Sequence, residues 1–230
     1  MENPALPISV GHHTMKYFIK FFTATLLLAT TTSALAYFFW YKPKFSNPPP
    51  ENTFSYKHID NGVLFRLKQK AVLAKEFVKN NDYEAGRCFL IDMKIPSGEK
   101  RFFVYDLRND SVEKAGLVAH GSGSDTGGEV LYFSNSPNSN CTSLGKYRVG
   151  KPYTGKFGLA YKLYGLDNTN SKAFERFVVL HAHSCVPNAD IAPMPICESW
   201  GCPTVAPAFL QSLKNYIDKS EQPVLLWIYY

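Results

Sequence analysis

Arg176–Cys185 reads RFVVLHAHSC, and shortly after it Glu198–Val205 reads ESWGCPTV. The first stretch is a continuous apolar, β-branched run ending in histidine, which fits a buried strand better than a helix. The second places a cysteine between glycine and proline, a turn that can present a side chain and expose backbone N–H groups. His181 and His183 are two residues apart, so on a strand they point the same way. Cys202 can be half of a disulfide, a buried thiol or a nucleophile, and the stretch alone leaves the three open.

The same strand-like texture runs outward from there. CFLIDM, RFFVYDL, LVAH, VLYFS, KYRV, LAYKLYGL and the closing PVLLWIYY are short runs separated by glycine, asparagine and serine clusters. PSGEK, after the first of them, fits a hairpin turn, and so does RNDS after the second. Two segments break the pattern. Leu64, Leu67, Ala71, Ala74 and Val78 recur at helical spacing and stop at Asn80-Asn81, and Leu210, Leu213 and Ile217 mark a helix that Pro207 starts. The expected fold is therefore mainly β (α+β): a β-rich domain over 84–230, with a helical lead-in over 56–83 and one helix after Cys202.

The N-terminal region has a different character. From Met15, which offers an alternative start, two lysines precede an apolar run from Phe21 to about Tyr41. Ala34-Leu35-Ala36 is a small-x-small site, so residues 1–41 read as a signal peptide. The aromatic extension Tyr37–Tyr41 before Lys42 and Lys44 equally suits an uncleaved membrane anchor. Residues 42–55 are proline-rich and polar, a linker. The bulk of the chain is expected outside the cytoplasm.

Composition narrows the function classes. The 230 residues carry a net charge of +6, but the lysines and arginines are scattered, and no basic stripe interleaved with aromatics marks a nucleic-acid groove. Five cysteines in an oxidising compartment allow two disulfides and one remaining thiol. Cys185 with Cys197 would staple a proline-rich loop, and Cys88 with Cys141 is the other expected bridge, leaving Cys202. His181, His183, Cys185, Cys197 and Cys202 form a possible zinc set, but there is no C-x-x-C pair and the spacing matches no common zinc site. A thiol nucleophile needs a base to become thiolate at neutral pH, and imidazole is the usual one. Seventeen residues separate His181 from Ser199.

Seven motifs in order carry a resemblance to a known family: RFFVYDL, LVAHGSGSD, YFSN, TSLGKYRVG, the GKFG…LAYKLYGLD stretch, the segment from Asn170 to VVLH, and SWGCP. From Arg101 to Tyr230 the chain resembles the murein L,D-transpeptidase catalytic domain family, the YkuD-like enzymes. The resemblance implies an L,D-transpeptidase-like β-sandwich acting on peptidoglycan stem peptides, without metal or cofactor. It casts Cys202 as nucleophile, His181 as base, the N–H groups of Gly201 and Cys202 as oxyanion donors, Ser199 as a signature residue beside them, and the Ala182 carbonyl as the group that orients the ring. Family members usually carry glycine where Ala182 stands, which leaves His183 as a substitute base or substrate contact. His120 would touch substrate or simply pack. An L,D-carboxypeptidase using the same acyl-enzyme, or an inactive peptidoglycan-binding module, are the alternatives, and the expected location is the periplasm or cell envelope with possible inner-membrane anchoring.

Overall fold

The computed structural model describes residues 12–41, 60–128 and 130–230. The chain divides into two compact units, Met1–Asn52 and Thr53–Tyr230. The expected linker at 42–55 lies outside the described residues.

In the first unit α1 (His12–Ala36) runs into a π-helical turn, Tyr37–Tyr41. The stretch Tyr17–Phe39, 23 residues long, is long and apolar enough to cross a membrane. Its threonines return their hydroxyls to the preceding turn, as Thr25 does to the Phe22 carbonyl at 2.9 Å and Thr31 to Leu27 at 2.9 Å. Such back-bonding hides the polar group of a side chain within an apolar helix. The small-x-small site occupies the last turn of α1.

The second unit begins with α2 (Asn61–Lys79). The Asp60 carboxylate caps it by accepting from the Gly62 and Val63 N–H groups, and Leu67, Ala71, Ala74 and Val78 form its buried stripe. Nine strands follow: β1 (Arg87–Asp92), β2 (Phe102–Asp106), β3 (Ser111–Gly116), β4 (Val118–Ala119), β5 (Gly145–Gly155), β6 (Gly158–Gly165), β7 (Val179–Ala182), β8 (Thr204–Val205) and β9 (Leu225–Tyr229), with α3 (Pro207–Ile217) between the last two. They form one sheet in the order β3-β2-β1-β9-β5-β6-β7-β8-β4. Only Leu117 separates β3 from β4, the two ends of that order, so the sheet curls until its edges nearly meet. Phe102 and Val104 of β2, next to one end, and Val118 of β4, at the other, share one core with Tyr147, Tyr161, Leu180, Val205 and the α3 residues Leu210 and Leu213. The expected two-layered β domain is thus built from a single folded-over sheet. On the other face of β1, β2 and β9, α2 lays its stripe over Cys88, Leu90, Phe103 and Leu225.

Two local expectations need correction, and one strand carried no sequence signal. VLYFS forms no strand: Tyr132 N–H goes to the Ser124 carbonyl at 2.8 Å and Ser134 N–H to Thr142 at 3.1 Å, so its backbone is used in loop contacts. SVEKAG, which lacks an apolar alternation, is strand β3, paired antiparallel with β2. Cys88 and Cys141 are not bridged. Cys88 is buried in the core under α2, and Cys141 donates from Sγ to the Gly123 carbonyl at 3.1 Å. Cys185 and Cys197 are bonded.

Candidate active site

Strands β7 and β8 run parallel, with His181 opposite Thr204 and Ala182 opposite Val205. This register places the residues two positions earlier, Val179 and Cys202, beside each other as well. The Val179 N–H points at Cys202 Sγ at 3.5 Å, and the Phe177 carbonyl lies 3.8 Å from it. Cys202 is a half-buried free thiol. Burial pushes its pKa up, against the Val179 N–H and the positive charge of Arg176, which favour the thiolate. Arg176 is fixed by three acceptors: the Ser134 carbonyl at 2.8 Å, the Cys141 carbonyl at 2.6 Å and Ser139 Oγ at 3.4 Å.

His181 is buried on β7. Its Nδ1 lies 3.1 Å from the Ala182 carbonyl, which can only accept, so Nδ1 carries the hydrogen and Nε2 keeps its lone pair. Nε2 is 2.9 Å from the Thr204 hydroxyl, whose other neighbour is the Cys202 carbonyl at 3.3 Å. No hydrogen bond joins His181 directly to Cys202 among the described residues; Thr204 holds the imidazole instead. Burial lowers the His181 pKa, with the Ala182 carbonyl opposing and the charge of His183 adding to the shift, so the ring is neutral near pH 7. Phe157, from the β5–β6 turn, stacks on His181 at 5.0 Å and meets His183 edge-on at 5.5 Å. His183 accepts the Cys185 N–H on Nδ1 at 3.2 Å and faces a cavity of about 280 Å³ that Phe157, Leu159, Ser184 and Pro207 also line.

The turn before Cys202 is held by backbone. Ser199 N–H and Oγ both reach the His120 carbonyl, at 2.9 and 3.1 Å, and Oγ also lies 2.7 Å from the Cys202 carbonyl. Gly201 has φ +102°, and a Cβ there would stand 2.7 Å from the Cys141 carbonyl, so only glycine fits. Of the two expected oxyanion donors, Gly201 N–H is taken by Ser199 Oγ at 3.1 Å. The Cys202 N–H meets no acceptor among the described residues.

His120 is joined to the turn through its carbonyl, which accepts from Ser199. It is buried, and Arg101, itself 1% exposed, donates to its Nδ1 at 2.9 Å. Arg101 also donates to the carbonyls of Val118 at 2.8 Å and Ile95 at 3.1 Å. Burial, reinforced by the Arg101 charge, drives the His120 pKa down to about 4. His120, Asp125 and Glu198 bring their polar atoms within 4.8 Å of one another, a spacing that also suits a metal ion. A guanidinium can only donate, however, so His120 Nδ1 accepts and the neutral ring carries its hydrogen on Nε2, where a metal would have to bind. The structure thus gathers His181, Ala182, Cys202 and Ser199 about the β7–β8 pair, with His183 sharing Phe157 with His181 and His120 joined to Ser199 through its carbonyl. Thr204, Arg176, Val179, Phe157, Arg101 and Asp125 were not singled out from the sequence. Of these, all but Thr204 fell within the seven quoted motifs.

Comparison with known proteins adds the family. The profile of the family described as L,D-transpeptidase catalytic domain matches residues 60–229. A search of curated proteins finds no match. Solved structures with a related fold include an L,D-transpeptidase from Xylanimonas cellulosilytica (14% identity, TM-score 0.35, covering 63% of this chain and 60% of that one). Bd1075 from Bdellovibrio bacteriovorus is another (18%, 0.37, 62% and 48%). The helical cell shape determining protein Pgp2 from Campylobacter jejuni is a third (9%, 0.38, 74% and 56%). The match thus spans between 48% and 60% of the length of these three chains.

Proposed function

Because this chain belongs to the L,D-transpeptidase catalytic domain family, we propose that it cleaves and rejoins peptidoglycan stem peptides through a thioester on Cys202. The family makes it an L,D-transpeptidase-type, peptidoglycan-modifying enzyme, and the residue roles are our reading. The observation that carries them is the tautomer of His181: with Nδ1–H held by Ala182, Nε2 is the proton acceptor on the strand paired beside the Cys202 segment.

In this reading Cys202 Sγ attacks the carbonyl preceding a terminal D-amino acid. His181 Nε2 takes the thiol proton once the Thr204 hydroxyl turns to the Cys202 carbonyl, and then gives it to the departing amino group. The Val179 N–H and the Arg176 charge favour the thiolate against burial. The Cys202 N–H stabilises the developing oxyanion, and Ser199 holds the turn that presents it. The acyl group then passes to an amine of a second stem. The apolar helix α1 serves export or anchoring, and the Cys185–Cys197 disulfide supports an oxidising envelope compartment.

The test is mass spectrometry of the full chain with disaccharide-tetrapeptide. A covalent adduct that is absent from the Cys202→Ala protein is expected, with loss of the terminal residue. Equal processing by Cys202→Ala would sink the nucleophile. An adduct that resolves only to tripeptide would assign the enzyme to carboxypeptidases.

A further inference from the structure

Arg176 carries a positive charge at the nucleophile's own turn. A Cβ placed on Gly201, the residue before Cys202, would stand 3.3 Å from Arg176 Nη2. The next residue along, Phe177, brings its carbonyl to 3.8 Å from Cys202 Sγ. Phe177 does so at φ +56° with its side chain 83% exposed, so burial of the ring is not what turns the backbone there. Guanidinium and carbonyl, from adjacent residues, thus flank the glycine and the thiol.

The partners of Arg176 leave a surplus on it. A guanidinium has five N–H donors. Nη1 meets the Ser134 carbonyl, and Nη2 meets the Cys141 carbonyl and Ser139 Oγ, which engages at most three of the five. All these acceptors are neutral, and no carboxylate pairs with Arg176 among the described residues. The side chain is half-buried, so part of it stays open to solvent. Tying the 134–142 loop to this segment accounts for the three contacts. It does not account for the spare donors or the unbalanced charge beside the nucleophile. An incoming anion completes both, because its oxygens accept the spare hydrogens and balance the charge.

The substrate of the reading above supplies one anion at that place. The residue that leaves carries a free α-carboxylate, whose carbon is three bonds from the attacked carbonyl carbon and hence within about 4 Å of it. Lys156 is the other cation near the site, exposed in the β5–β6 turn with Nζ 5.6 Å from the Phe157 ring. A long exposed ammonium loses more freedom on binding than a guanidinium already anchored on three acceptors.

We propose that Arg176 binds the free carboxylate of the terminal D-amino acid and so restricts the enzyme to stems that end one residue past the attacked carbonyl. The proposal rests on the acyl-enzyme reading above. A stem amidated at that residue, or extended beyond it, has no carboxylate there and is held less tightly.

The test is binding to the full chain carrying Cys202→Ala, which needs no turnover. Disaccharide-tetrapeptide with a free terminal carboxylate should bind roughly tenfold more tightly than the same stem amidated there. Arg176→Gln in that background should weaken the acid form alone and bring the two affinities together. Arg176→Lys should keep part of the preference, and Lys156→Gln should leave it intact. Equal affinity for acid and amide in the Cys202→Ala protein overturns the proposal, as does binding of neither stem. So does a preference that survives Arg176→Gln or that vanishes with Lys156→Gln. An equal loss of affinity for both stems in Arg176→Gln would make the residue a structural tie, and overturns it too. If wild type forms no Cys202 adduct, the nucleophile reading fails by itself, and the acid-to-amide ratio still decides the role of Arg176.

Discussion

Two histidines two residues apart compete for one role, and their surroundings separate them. His181 offers a lone pair at Nε2 toward the Cys202 side, while His183 has its Nδ1 occupied by the Cys185 N–H and faces a separate cavity. A base that works as neutral imidazole gives activity that rises as pH climbs through its pKa. For His181 that limb lies below the ordinary histidine value, through burial and then the charge of His183. Removing the neighbouring charge raises the His181 pKa, so His183→Ala should move the acid limb of kcat/KM to higher pH while keeping its shape. His181→Ala should cost on the order of 10²-fold or more across the range. The reverse pattern would hand the base's role to His183. Ser199 acts at one remove. Its hydroxyl lies on the carbonyls of His120 and Cys202 and receives the Gly201 N–H. Ser199→Ala should lower kcat more than it raises KM and destabilise the fold by about 1–2 kcal/mol, read by denaturant titration; a purely structural role would leave kcat untouched.

At the scale of elements, what could be read from sequence was whatever local pattern decides. The α2 stripe and the start of α3 at Pro207 follow helical periodicity and proline's fixed φ, and both elements formed where expected. VLYFS has strand composition, yet the loops at Ser124 and Thr142 consume its backbone. SVEKAG has charged and small residues and becomes an edge strand only because β2 supplies the partner. The same limit hid part of the site. His181 and Cys202 stood out by motif, but Thr204 matters only through the parallel register of β7 with β8, and no local signal encodes that pairing. Cysteine pairing was half legible: the staple across the short proline-rich loop formed, whereas Cys88 and Cys141 sit in separate parts of the unit. That staple spans 12 positions between the His183 and Glu198 segments. Closing a loop of this size restricts the unfolded chain by about 3 kcal/mol. The Cys185→Ser, Cys197→Ser protein should therefore lose roughly that much stability, and dithiothreitol should lower the melting temperature of wild type but not of the variant.

Across the whole catalytic unit, the seam where the curled sheet approaches itself buries two polar side chains, Arg101 and His120. Arg101, at the start of β2, reaches over it to the Val118 carbonyl of β4 and to His120 just beyond. A buried guanidinium without a hydrogen-bonded carboxylate costs desolvation energy, and its pKa falls to about 10, low for arginine yet high enough to stay charged at neutral pH. Burial, reinforced by that retained charge, keeps His120 neutral and sets its folded pKa near 4 against an unfolded value of 6.5. A folded pKa below the unfolded one means that between those two values the unfolded chain binds the extra proton. Stability from this group is therefore complete above pH 6.5 and drains away as pH falls toward 4. The shift corresponds to on the order of 3 kcal/mol at full effect. His181, also lowered, adds loss in the same direction. Urea unfolding of wild type should show stability dropping across this window, and His120→Gln, which cannot take up the proton, should flatten the drop by the His120 share. An equally steep decline in His120→Gln would place the acid sensitivity elsewhere than at the seam.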